Sequence, residues 1–173
     1  WRVHYAERGK KALVIPTGGS DGLGIWGYVA ACEELHDDLR SAGIEAAQLV
    51  TATGSGGTQA GLTLGAALYG VPLTVWGVNV CDDEAYFLGK VAADVADWRS
   101  RFPGQPEVAV TARVIDGYVG DGYGVASSAV LQLIAELAAL EGLLLDPVYT
   151  GKAFHGLVQE LQAGRFEGTR DVV

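Results

Sequence analysis

Thr51-Ala-Thr-Gly-Ser-Gly-Gly-Thr-Gln-Ala-Gly61 joins an apolar run, Ala46 to Val50, to a helix-compatible run, Gln59 to Leu68. Gly54, Gly56 and Gly57 sit with the hydroxyls of Thr53, Ser55 and Thr58 where a strand would hand over to a helix. Glycines there let the backbone curl until several N–H groups face one point. The helix start adds unpaired N–H groups and the positive end of its dipole. Together these make an anion site, most often one for phosphate. A plain turn rarely needs three glycines and three hydroxyls at once.

Outward from this loop, strand and helix patterns alternate. Upstream, Lys10 to Pro16 reads as a short buried strand, followed by a glycine-rich loop from Thr17 to Gly24. Trp26 to Ser41 reads as a helix with Val29, Ala30, Leu35 and Leu39 inward, ended by Gly43. Glu45 to Thr51 is the strand that enters the central loop. Downstream, Val71 to Val80 is a strand, Glu84 to Arg101 an amphipathic helix stopped by Pro103-Gly104, and Val108 to Ile115 a strand. Asp116 to Gly124 is a loop, Ser127 to Glu141 a helix capped by Ser127 or Ser128, and Gly151 to Ala163 a last helix. The alternation predicts an α/β fold: three layers, a mainly parallel sheet with helices on both faces. Loops at the carboxyl ends of the strands should then hold the site. Asp171-Val-Val173 reads as the start of another strand.

The chain has 173 residues, 49% of them hydrophobic and 19% charged, which suits one domain with a real core. Its net charge of −9 argues against nucleic acid and anionic membrane as partners. No apolar run reaches membrane-span length. Cys32 and Cys81 are too few for a disulfide framework, so a reducing cytoplasm is the default setting. The chain has no methionine and opens on Trp1 in what looks like folded sequence, which reads as an excerpt from a longer protein.

Gly22-Leu-Gly24-Ile-Trp-Gly27 matches the spacing of a dinucleotide fingerprint. The acid that should close the next strand is absent there, because Glu45 opens that strand and threonines end it. The central loop fails the same fingerprint, with Gln59 in the third glycine position, and it lacks the Gly-Lys-Ser/Thr of a P-loop. One terminal phosphate suits it better than a diphosphate or triphosphate. Asp82 and Asp83 point apart in an extended segment, so a helix cap is their expected role. His4, His36 and His155 show no ligand spacing. Asp146-Pro-Val-Tyr-Thr-Gly-Lys152 places Tyr149 and Thr150 just before a helix; spacing leaves open whether they address a ligand or merely pack and cap.

Ile15-Pro-Thr-Gly-Gly-Ser20 with Leu23-Gly24, the Thr53–Gly61 loop, Val80-Cys-Asp-Asp83, Gly122-Tyr-Gly124 and Asp146–Lys152 occur in that order. The ordered set resembles the D-cysteine desulfhydrase and 1-aminocyclopropane-1-carboxylate deaminase family, pyridoxal-phosphate enzymes of the tryptophan synthase β-like fold. The resemblance implies that Ser55, Gly56, Gly57 and Thr58 hold the phosphate of pyridoxal 5'-phosphate, with Gly54 shaping the turn. It implies that Tyr149 and Tyr123 are active-site tyrosines and that Thr150 lies by the pyridine nitrogen. The deaminases carry a glutamate at that position, and a hydroxyl in its place favours β-elimination over ring opening. A small amino-acid substrate and a homodimer are implied for the intact parent. The family's Schiff-base lysine and its Ser- and Asn-rich substrate loop match nothing here, since Lys10, Lys11, Lys90 and Lys152 lie outside that motif. Residues 1–173 therefore read as one α/β unit, the C-terminal portion of such a lyase, clipped at both ends. The expected activity of the parent is conversion of D-cysteine to pyruvate, ammonia and sulfide. Aminocyclopropane-carboxylate deamination, cysteate sulfo-lyase activity and a non-catalytic cofactor-binding fragment are the alternatives.

Overall fold

In the computed structural model, which describes all of Trp1–Val173, the elements in chain order are α1 (Arg2–Ala6), α2 (Trp26–Ser41), β1 (Ala47–Thr53), α3 (Gly57–Tyr69), β2 (Leu73–Asn79), α4 (Glu84–Arg101), β3 (Arg113–Ile115), α5 (Ser128–Glu141) and α6 (Thr150–Gln162). The three strands form one parallel sheet in the order β1-β2-β3. Thr53 pairs with Asn79 and Val78 with Ile115, so the carboxyl ends of all three strands lie along one edge. Val172 bridges Gln48 in parallel on the free side of β1, the strand-like pairing that Asp171-Val-Val173 leads one to expect.

Helices cover both faces. On one, Ile25 and Val29 of the α2 region pack with Ala60 and Leu64 of α3 and Val91, Val95 and Trp98 of α4. On the other, Val78 and Ile115 of the sheet pack with Ala153 of α6 and with Phe166. α3 is buried from Gln59 to Ala66. Its Ala, Gly, Leu and Thr side chains present no charged face, and a helix apolar all round belongs inside. Each fully buried Leu or Val contributes roughly 1.5–3 kcal/mol. No helix is long and apolar enough to cross a membrane.

Two of the helices have the bounds their sequence predicts, Trp26–Ser41 and Glu84–Arg101. Asp83 caps α4 by accepting from the Tyr86 N–H at 2.7 Å, and Ser127 caps α5 by accepting from Val130. Several expectations are corrected. Lys10 to Pro16 forms no strand; Leu13, Val14 and Ile15 are exposed, because no element of this chain pairs with or packs on them. Only Arg113–Ile115 of the Val108–Ile115 run joins the sheet, while Val108, Val110 and Ala112 turn toward the α2–α3–α4 core instead of pairing with β2. Ala30 is exposed and Cys32 takes the inward position on α2. Two of the three fingerprint glycines serve packing: a Cβ on Gly22 would fall 2.4 Å from the Trp98 nitrogen and one on Gly24 1.7 Å from the Gly19 carbonyl oxygen, while Gly27 faces open space.

Candidate functional site

The Gly54–Thr58 loop links the carboxyl end of β1 to the first turn of α3. Gly56 caps the helix with φ +86°, a left-handed conformation that side-chain-bearing residues adopt only under strain. The Gly57 N–H donates to Ser20 Oγ at 3.0 Å, and Ser20 Oγ donates to Ser55 Oγ at 2.8 Å. The N–H groups of Ser55, Gly56, Thr58 and Gln59 have no acceptor within the chain, whereas Ala60 already donates to Gly56. Four free amides around one glycine turn at a buried helix start are the donor set that one phosphate takes up. The cradle therefore fits the tail of pyridoxal phosphate. Ser20, from the Gly-Gly-Ser loop, braces it from outside.

Tyr149 stands over this loop. A Cβ on Gly54 would come 2.7 Å from Cε1 of its ring, so only glycine lets the tyrosine lie there. Cys81 Sγ donates to the Gly54 carbonyl at 3.3 Å from the end of β2. Burial and the Asp82 charge push the Cys81 thiol up, against a smaller opposing pull from Lys152, and it stays a donor at neutral pH. The Tyr123 and Tyr149 hydroxyls are hydrogen-bonded, with rings 5.9 Å apart at 68°. Sharing that hydrogen with Tyr123, and then burial, push Tyr149 above the ordinary tyrosine value. Tyr149 thus keeps its proton at neutral pH.

Asp146 shapes the approach to α6. Its carboxylate accepts from Val148 N–H at 2.8 Å, Tyr149 N–H at 2.7 Å and Thr150 N–H at 2.9 Å, and from the Thr150 hydroxyl. Burial opposes ionisation, but these four donors outweigh it and bring the carboxyl down to about 2. Thr150 Oγ1 also accepts from the Asp146 N–H at 2.8 Å, which leaves it one lone pair to present outward. Asn79, fully buried at the end of β2, donates to Asp116 Oδ1 at 2.9 Å and fixes the start of the loop that carries Tyr123. Burial resists ionisation of Asp116, but bonds from Asn79, Gly117 and Glu84 leave its carboxyl below the usual range.

The carboxyl ends of β1 and β2, the 116–124 loop and the start of α6 thus converge. Gly54, Tyr149 and Tyr123 lie in a chain of direct contacts, with Ser55, Gly56, Gly57 and Thr58 at the helix start and Thr150 next to Tyr149. His155 lies elsewhere, its ring against Tyr118. Lys90 is taken by Asp94 at 2.6 Å and the Ser20 carbonyl. Sequence reasoning missed Ser20 and Asp146 as site supports. Asp146-Pro147 carried a readable signal, an Asx turn four residues before Thr150. Ser20 pairs with a loop 35 residues away, and no local spacing announces that.

A family model described as pyridoxal-phosphate dependent enzyme matches residues 2–173. A putative 1-aminocyclopropane-1-carboxylate deaminase of Thermotoga maritima is 40% identical over 154 residues, which cover 88% of this chain and 48% of that protein. The mitochondrial bifunctional D-cysteine desulfhydrase/1-aminocyclopropane-1-carboxylate deaminase of Arabidopsis thaliana is 37% identical, over 90% of this chain and 38% of its own. The crystal structure of an ACC deaminase homologue has a TM-score of 0.84 at 32% identity, covering 99% of this chain and 51% of that one. The chain spans about half the length or less of these relatives. The match over residues 2–173 and the shared architecture lead to one conclusion: the chain belongs to the family of pyridoxal-phosphate dependent enzymes.

Proposed function

We propose that this chain is the C-terminal portion of a lyase that binds pyridoxal phosphate and converts D-cysteine, or a close β-substituted amino acid, to pyruvate, ammonia and sulfide. Bound pyridoxal phosphate supplies the electron sink that makes an amino acid's Cα proton and β-substituent labile. Ser55, Gly56 and Thr58, with Gln59, hold its phosphate through the free amides of the α3 start, while Ser20 takes the Gly57 N–H. Tyr149 lies over Gly54 and keeps its proton, so the Tyr149–Tyr123 pair holds the substrate and hands a proton to the departing sulfur. Thr150 meets the pyridine nitrogen with its remaining lone pair. The Schiff-base lysine, the substrate-carboxylate loop and a homodimer belong to the intact parent in this reading.

The observation that carries the choice of substrate is Thr150. A hydroxyl there grips a ring proton less firmly than the glutamate the resemblance assigns to the deaminases, and β-elimination asks less of the sink than opening a cyclopropane. The deaminase reading stays in view because the Thermotoga relative is named a putative deaminase and the Arabidopsis relative carries both activities in its name. Assaying the intact parent separates the two. Sulfide and pyruvate from D-cysteine, with no 2-oxobutyrate from 1-aminocyclopropane-1-carboxylate, is the expected result. The reverse pattern overturns the proposal.

A further inference from the structure

Lys152 is buried, 1% exposed, on the first turn of α6. No carboxylate pairs with it. Its Nζ donates to the Val119 carbonyl at 2.7 Å and the Gly122 carbonyl at 2.8 Å. Burying a lysine head group is costly unless its hydrogens find acceptors, and here the acceptors are main-chain oxygens of the loop that bears Tyr123.

That loop has little else to hold it. Gly117, Gly120, Gly122 and Gly124 all have positive φ, and the segment has no helix or strand. Such a run carries a large entropic cost of ordering. Its backbone between Tyr118 and Gly124 makes one turn bond, from Val125 N–H to Gly122, and otherwise only the two bonds to Lys152. Tyr118 adds a side-chain anchor at one end, donating to Glu160 at 2.7 Å. At the other end Tyr123 is 59% exposed and meets the rest of the site through the Tyr149 hydroxyl. Lys152 lies three residues after Tyr149 on the same segment. One side chain therefore ties the backbone beside Tyr123 to the helix start that carries Tyr149.

The geometry points to Lys152 as a positioning residue that holds Tyr123 against Tyr149. It acts on the substrate only through that pair, and it rests on the functional reading above for the pair's role in turnover. Removing the head group leaves the two carbonyls without donors and frees the loop. Tyr123 then leaves Tyr149 for much of the time, and the site loses a positioned hydroxyl rather than its cofactor cradle, which hangs on α3.

The test uses the intact protein with K152M, K152R, Y123F and the double variant K152M/Y123F. Hydrogen exchange of peptides spanning 117–124 is the first readout and needs no turnover. K152M should speed exchange there while β1 and β2 stay as in the unmodified protein, and K152R, which keeps charge and donors, should restore much of the protection. The second readout is a kinetic cycle. K152M should lower kcat by about tenfold to a hundredfold, the scale of a misplaced catalytic group, with cofactor affinity unchanged. In the Y123F background the same substitution should cost almost nothing more. Should K152M not fold, K152Q keeps an NH2 donor group without a buried charge and gives the same pattern at a smaller loss. Unchanged exchange over 117–124, or a K152M penalty undiminished in Y123F, overturns the inference. An unmodified parent that turns over neither amino acid sinks the functional reading instead, and the exchange readout still decides the role of Lys152.

Discussion

At the residue scale the site depends on glycines and short polar side chains that each satisfy one geometric demand. Gly54 makes room for Tyr149, and Gly56 turns the chain at φ +86°. The turn itself was legible, since a glycine cluster between an apolar strand and a helix marks a tight handover, and the structure has it between β1 and α3. The sequence did not announce Ser20, which braces the loop from 35 residues upstream, because such a contact exists only once the chain has folded. Gly54→Ala is a sharp probe, since its methyl would press on the Tyr149 ring from 2.7 Å and the free amides at the start of α3 would be untouched. The expected outcome in the intact protein is a kcat lowered by about tenfold or more. Pyridoxal phosphate affinity should stay within a factor of a few, checked by steady-state kinetics beside equilibrium titration.

At the scale of elements, helices were more legible than strands. α2 and α4 carry amphipathic stripes and clear stops, so periodicity and capping residues marked their ends. Lys10 to Pro16 and Val108 to Val110 look like strands by composition, but a strand exists only through its neighbours, and here no neighbour pairs with them. The start of α6 is set by Asp146, whose carboxylate gathers three N–H groups and the Thr150 hydroxyl. Its pKa is depressed to about 2, so its contribution to stability is complete above the ordinary value of 3.8 and is lost as the pH falls through about 2. Asp146→Ala should therefore destabilise by about 1 kcal/mol near neutral pH, the usual worth of such a cap. Denaturation curves of variant and parent should converge as the pH is lowered toward 2.

At the scale of the whole molecule, the parallel sheet sets the carboxyl ends of β1, β2 and β3 along one edge, and every candidate site element is delivered there. That much follows from strand–helix alternation alone. The relation between the Tyr123 loop and the start of α6 does not, because it runs through Lys152, a side chain whose partners are backbone oxygens 30 and 33 residues away. Leu13, Ile15, Leu131, Leu140 and Leu144 remain exposed, and the relatives are about twice as long as this chain or longer. In the proposed function, the loop at 54–58 grips the cofactor by its phosphate. The direct measurement is the equilibrium affinity of the intact protein for pyridoxal phosphate and for pyridoxal, with and without Gly56→Val. The expected result is a strong preference for the phosphorylated form that the substitution largely abolishes, with pyridoxal affinity little changed. A phosphate preference that survives Gly56→Val would contradict it.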